Sequence, residues 1–106
     1  MDKKTLILIK EVRENLKNSG IDLQGIYLFG SRSKDIQETD SDYDVAIVIK
    51  SKVTHETKDF VRSIIYDIML KHDVVIDSHI YSDNEITEPS TPFREVIKNE
   101  GIFYAS

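Results

Sequence analysis

Residues Ile26 to Ile49 read IYLFGSRSKDIQETDSDYDVAIVI. The apolar run Ile26-Tyr27-Leu28-Phe29 stops at Gly30-Ser31. Ten residues later Asp42-Tyr43-Asp44 opens a second apolar run, Val45 to Ile49. In a strand, residues two apart point to the same face, so Asp42 and Asp44 set two carboxylates side by side. Two anions that close repel, and each raises the other's pKa unless a cation lies between them. A Gly-Ser turn at the end of a neighbouring strand can offer backbone N–H groups and a hydroxyl to a phosphate. Carboxylate pair and phosphate turn together suit a metal–nucleotide complex.

Working outward, Leu6, Ile9, Val12, Arg13 and Leu16 form a helical stripe with Gly20 as its stop, which predicts a first helix over Lys3 to Asn18. Ile26 to Phe29 is the first predicted strand and Tyr43 to Lys50 the second, with a polar, turn-rich loop from Ser31 to Ser41 between them that carries a helical turn near its start. The unbroken apolar interior of the second strand suits burial on both faces. Thr54 caps a predicted helix from His55 to Lys71, whose buried face is read as Phe60, Val61, Ile64, Ile65, Ile68 and Met69. Val74 to Tyr81 follows as a third strand. Ser82-Asp83-Asn84-Glu85 has the form of a capping box, and Thr91-Pro92 that of an N-cap and first helical residue, opening a helix to Asn99 that ends at Gly101. Ile102-Phe103-Tyr104 is read as a tail that either closes over the core or meets a partner. The order is helix, strand, strand, helix, strand, helix: a small mixed sheet packed with helices in an α/β fold.

The 106 residues fit one domain, residues 1–106, of ordinary globular composition, 40% hydrophobic and 31% charged. A net charge of −5 disfavours nucleic acid as a partner. With no cysteine, disulfides and thiolate metal sites are excluded. Neither a signal peptide nor an apolar stretch of membrane-spanning length is present, so the cytoplasm is the expected address.

Nucleotidyl transfer asks for one or two divalent ions, held by carboxylates, that neutralise charge developing on the α-phosphoryl oxygens and the leaving pyrophosphate. Mg²⁺ takes hard oxygen ligands and keeps waters and substrate phosphates in its shell, so two or three aspartates suffice. Beyond Asp42 and Asp44, the segment His72 to Ser78 offers Asp73 and Asp77, four apart and on one strand face. Asp77 is preferred, because a mid-strand carboxylate lacks a structural reason, whereas Asp73 falls at a helix-to-strand junction. His79 shares a strand face with Asp77 and is able to orient it, though a surface histidine is the preferred reading. Tyr43, between the two aspartates, points to the opposite face as packing, and Tyr27, Phe29 and Phe60 are assigned to the core. Arg32 either contacts phosphate or pairs with Asp35, Glu38 or Asp40 on its own loop.

The set Gly30-Ser31, ten residues, Asp42-Tyr43-Asp44, with a later strand carboxylate, resembles the minimal nucleotidyltransferases of the DNA polymerase β superfamily, as do the surrounding Phe29-Gly30-Ser31-Arg32 and Ser41-Asp42-Tyr43-Asp44-Val45. The resemblance implies a nucleotidyltransferase fold in which Gly30 and Ser31 bind the phosphates of the nucleotide, ATP as donor, Asp42 and Asp44 hold Mg²⁺, and Asp77 completes the carboxylate set and helps activate the acceptor hydroxyl. Lys34-Asp35 stands where the family commonly has a glycine-containing turn. The spacing also resembles that of small antitoxins paired with helical HEPN-type toxins, which transfer AMP to a tyrosine on the toxin. That likeness implies a toxin partner and an antitoxin role. Two other readings share the motif: an antitoxin of this fold acting by contact alone, and a small-molecule transferase, aminoglycoside-directed for example, whose pocket a homo-oligomer completes.

Overall fold

The computed structural model describes residues 3–30, 42–88 and 91–106. The predicted loop from Ser31 to Ser41, including Ser31 and Arg32, therefore lies outside the described residues. Helix α1, Lys3–Asn18, turns Thr5, Leu8, Ile9, Val12 and Leu16 inward, the spacing that puts one stripe on one side of a helix. Strands β1, Leu23–Phe29, and β2, Tyr43–Ile49, pair antiparallel, with Phe29 opposite Asp44. Helix α2, His55–His72, starts under Thr54, whose hydroxyl accepts the Thr57 N–H at 3.2 Å. It ends at Asp73, which takes the left-handed conformation (φ 52°) and donates its N–H to the Met69 carbonyl.

The crossover through α2 lays β3, Ile76–Ser82, parallel to β2, with Asp44 opposite Asp77. β3 runs into α3, Asp83–Thr87, where the Ser82 N–H donates to Glu85 Oε1 at 3.0 Å. Helix α4, Pro92–Glu100, begins at Thr91, whose hydroxyl accepts the Arg94 N–H, and β4, Ile102–Ala105, then pairs antiparallel with β1. The sheet order is β3-β2-β1-β4, so β2 is central and β3 and β4 are the edges.

Alternation along the strands divides the residues between two faces. One face gives Leu23, Ile26, Leu28, Val45, Ile47, Ile49, Ile76 and Ile80 to a core shared with α1 and α2. Tyr43 is buried in that core, as its place between the two aspartates predicts. Phe29, Ala46 and Val48 on the other face meet Ile86 of α3 and Ile97 of α4, flanked by Tyr27 and Tyr81. Burying each large aliphatic side chain contributes about 1.5–3 kcal/mol, so the first, larger core dominates stability. Across it the Glu11 carboxylate of α1 meets Lys71 Nζ and His72 Nε2 of α2, and these partners hold its pKa below the usual glutamate range.

Five sequence readings change. Leu6, read as part of the α1 stripe, is 46% exposed, because it sits about 100° round the helix from Thr5 on the buried line of Thr5, Leu8, Ile9, Val12 and Leu16. Phe60 is 46% exposed and not in the core, because it sits about 100° round the helix from the Val61-Ile65-Ile68 line. The first strand begins at Leu23 rather than Ile26, and the third at Ile76 rather than Val74. The tail from Ile102 is a fourth strand. Among the described residues, no helix is long and apolar enough to cross a membrane.

Candidate active site

Three strand ends meet at the site: the end of β1 and the starts of β2 and β3. Gly30 leaves β1 at φ 74°, a conformation glycine adopts without steric cost. A Cβ at that position would collide with Asp44 Oδ2, so the turn and the carboxylate are pressed together. Asp44 stands between Phe29 of β1 and Asp77 of β3 in the ladder. Asp42 lies two residues before it, exposed, just ahead of β2. The face that carries Asp44 is that of Ala46 and Val48, under α3 and α4.

Burial raises the pKa of Asp44, and the neighbouring carboxylates of Asp77 and then Asp42 raise it further, while His79 acts in the other direction. Asp44 is thus an anion held where negative charge is already concentrated. Such a place is relieved by a cation.

Asp77 is more exposed, with 55% of its side chain accessible, and its Oδ2 lies 3.4 Å from His79 Nε2. The His79 ring is flanked by Phe29 (centroids 5.8 Å apart) and Phe93 of α4 (5.1 Å). Phe29 and Phe93 meet edge to face at 5.7 Å. The preferred sequence reading made His79 a surface histidine; the structure sets it on the site face beside Asp77. The i, i+2 spacing was the available signal. Phe93 had no such signal, since only the return of α4 over the sheet brings it there.

Asp73 is accounted for differently: it caps α2 in a left-handed turn, and it is absent from the charges acting on Asp44. Of the residues singled out from sequence, Gly30, Asp42, Asp44 and Asp77 come together. Ser31 and Arg32 lie outside the described residues.

Among the described residues no three His, Cys, Asp or Glu side chains approach closely enough to enclose a metal ion by themselves. Carboxylate oxygens are nevertheless the donors Mg²⁺ takes, and Mg²⁺ bound with a nucleotide uses one or two carboxylates with phosphates and waters for the rest. Asp42, Asp44 and Asp77 fit that chemistry, and the repulsion acting on Asp44 is what an ion there would relieve.

A mixed sheet with a glycine turn facing a strand aspartate pair defines the nucleotidyltransferase class. The family described as Polymerase beta, Nucleotidyltransferase matches residues 9–103, and the chain belongs to it. Solved structures agree in fold. A toxin–antitoxin crystal structure with AMP-PNP superposes with a TM-score of 0.68 at 20% identity, over 92% of this chain and 73% of the other. The toxin–antitoxin MntA-HepT structure gives 0.63 at 17% identity, over 95% and 73%. A chain from Sulfolobus solfataricus assigned as a nucleotidyltransferase gives 0.62 at 22% identity, over 95% and 79%. A search of curated proteins found no significant match.

Proposed function

We propose that this chain is a Mg²⁺-dependent nucleotidyltransferase that moves AMP from ATP to a hydroxyl of a partner protein, and that it serves as the antitoxin of a HEPN-type helical toxin. The observation that carries the reading is Asp44, opposite Asp77 in the β2–β3 register and pressed against the Gly30 turn, with Asp42 two residues before it acting on the same carboxylate. The family membership supports transferase chemistry, and the toxin–antitoxin neighbours, one of them with AMP-PNP, support the partner and the nucleotide.

In this reading Gly30, Ser31 and Arg32 receive the phosphates, and Asp42, Asp44 and Asp77 hold the metal. Bound Mg²⁺ would offset the charge that builds on the phosphoryl oxygens. Asp77, the most exposed of the strand carboxylates, orients the acceptor hydroxyl and takes its proton. The hydroxyl oxygen bonds to the α-phosphorus while the bond from that phosphorus to the bridging oxygen breaks. Its electron pair leaves with pyrophosphate. Holding the two reacting atoms in line is the larger part of the rate gain.

The test is co-expression with the product of the neighbouring gene, then intact-mass measurement of that product after incubation with ATP and Mg²⁺. Increments of one AMP, lost in the Asp42→Asn/Asp44→Asn double variant, are expected. An unmodified but inhibited partner would replace transfer by neutralisation through contact.

A further inference from the structure

The outer edge of β3 is an open hydrogen-bonding rail beside the candidate site. The Tyr43 N–H donates to the Val75 carbonyl at 2.9 Å, so Val75 turns its backbone toward β2. By strand alternation Asp77 and His79 do the same, while Ile76, Ser78 and Ile80 turn theirs outward. The outward Ile76 N–H is taken by Met69 Sδ at 3.1 Å, and the Ser82 N–H by Glu85 Oε1 at 3.0 Å. Between them, Ser78 and Ile80 have no backbone partner on that side among the described residues.

Edge strands are ordinarily blunted by lysine, proline or a bulge. β3 has neither residue, and its seven-residue register with β2 is unbroken. β4, the opposite edge, has only four residues. Along β3 runs an open groove of about 750 Å³, walled on the other side by Arg62, Tyr66 and Met69 of α2.

We infer that the acceptor hydroxyl reaches the site on an extended segment of the partner protein, added to the sheet as a strand against Ser78 and Ile80. A free edge is complementary to an extended backbone and to little else. Side chains of an added strand alternate between faces. One set stands beside Asp77 and His79, about 4.5–5.5 Å away as cross-strand neighbours do. The other set turns toward Tyr66 and Arg62. The edge is continuous with the carboxylate that receives the proton, so one docking event would both bind the partner and align its Ser, Thr or Tyr hydroxyl. The inference rests on the transferase reading for what is delivered, not for where the segment binds.

Amide hydrogen exchange of the chain, alone and in complex with the co-expressed helical partner, tests it. Exchange at Ser78 and Ile80 should slow at least tenfold in the complex. Ser78→Pro removes the outward N–H at a place where an edge strand tolerates proline. It should lower transfer to the partner at least tenfold while ATP affinity stays within twofold. Unprotected Ser78 and Ile80 in a complex that transfers AMP would overturn the inference and leave the transferase reading standing. Protected amides without transfer would uphold the docking edge and overturn the transferase reading. Failure to form any complex overturns both. Should Ser78→Pro not fold, the exchange pattern of the unaltered chain decides alone.

Discussion

Asp44 sits at a cost to the fold. Its pKa is raised in the folded chain, chiefly by burial and then by Asp77 and Asp42. A carboxyl with a raised folded pKa binds its proton more readily folded than unfolded, so its penalty is full above the folded pKa and fades as pH falls through that value toward the unfolded one. Asp44→Asn should therefore melt higher than the unaltered chain at neutral pH. The gain should vanish below the ordinary aspartate range. Thermal melts of the two proteins across pH, without divalent ions, check this; an equal gain at every pH would show that packing, not charge, is responsible. Gly30 belongs to the same arrangement: its left-handed turn is what lets the Asp44 carboxylate come so near the end of β1.

At the scale of elements, the helices were legible because their signals are local. Thr54 and Thr91 cap where their side chains predict, and Ile9, Val12 and Leu16 of the α1 stripe face the core, though Leu6 does not. The strands were less so. Gln24-Gly25 looks like loop, yet Gly25 lies in β1 because Phe103 and the Tyr104 carbonyl occupy the space a side chain would need. That partnership crosses most of the chain, so neither Leu23–Gly25 nor Ile102–Ala105 announces itself locally. Of the candidate site, the glycine and the Asp42/Asp44 pair stood out by spacing, and Asp77, preferred over Asp73 on sequence, lies opposite Asp44 in the register of β3. The two aspartates now separate experimentally. Asp73→Gly removes the strain of a left-handed aspartate at the end of α2 and should stabilise by about 0.5 kcal/mol, with transfer unchanged. Asp77→Asn should lower transfer at least a hundredfold with little change in melting temperature. Loss of transfer in Asp73→Gly with retention in Asp77→Asn would reverse the assignment.

The whole molecule is lopsided. Two long helices and a large core back one face of the sheet, while the site face is covered by the short α3 and α4 over a small cluster. Ile97 is the buried residue of α4, fully inaccessible beneath it. Ile97→Ala should cost about 2–4 kcal/mol by chemical denaturation, as for other buried aliphatic truncations. Amide exchange should quicken in α4 before α1. Equal acceleration in both helices would mean that the thin layer does not open separately.

The parallel pairing of β2 with β3 sets the order in which the site comes into being. Asp42, Asp44 and Gly30 are brought together by a hairpin-like antiparallel pair, but Asp77 reaches Asp44 only after the chain has passed through the whole of α2 and back along the sheet. Closing so long an excursion is slow compared with pairing neighbouring strands. A chain still emerging from the ribosome therefore brings its Gly30 turn to Asp44 well before Asp77 can join them, which waits until β3 has been synthesised and docked.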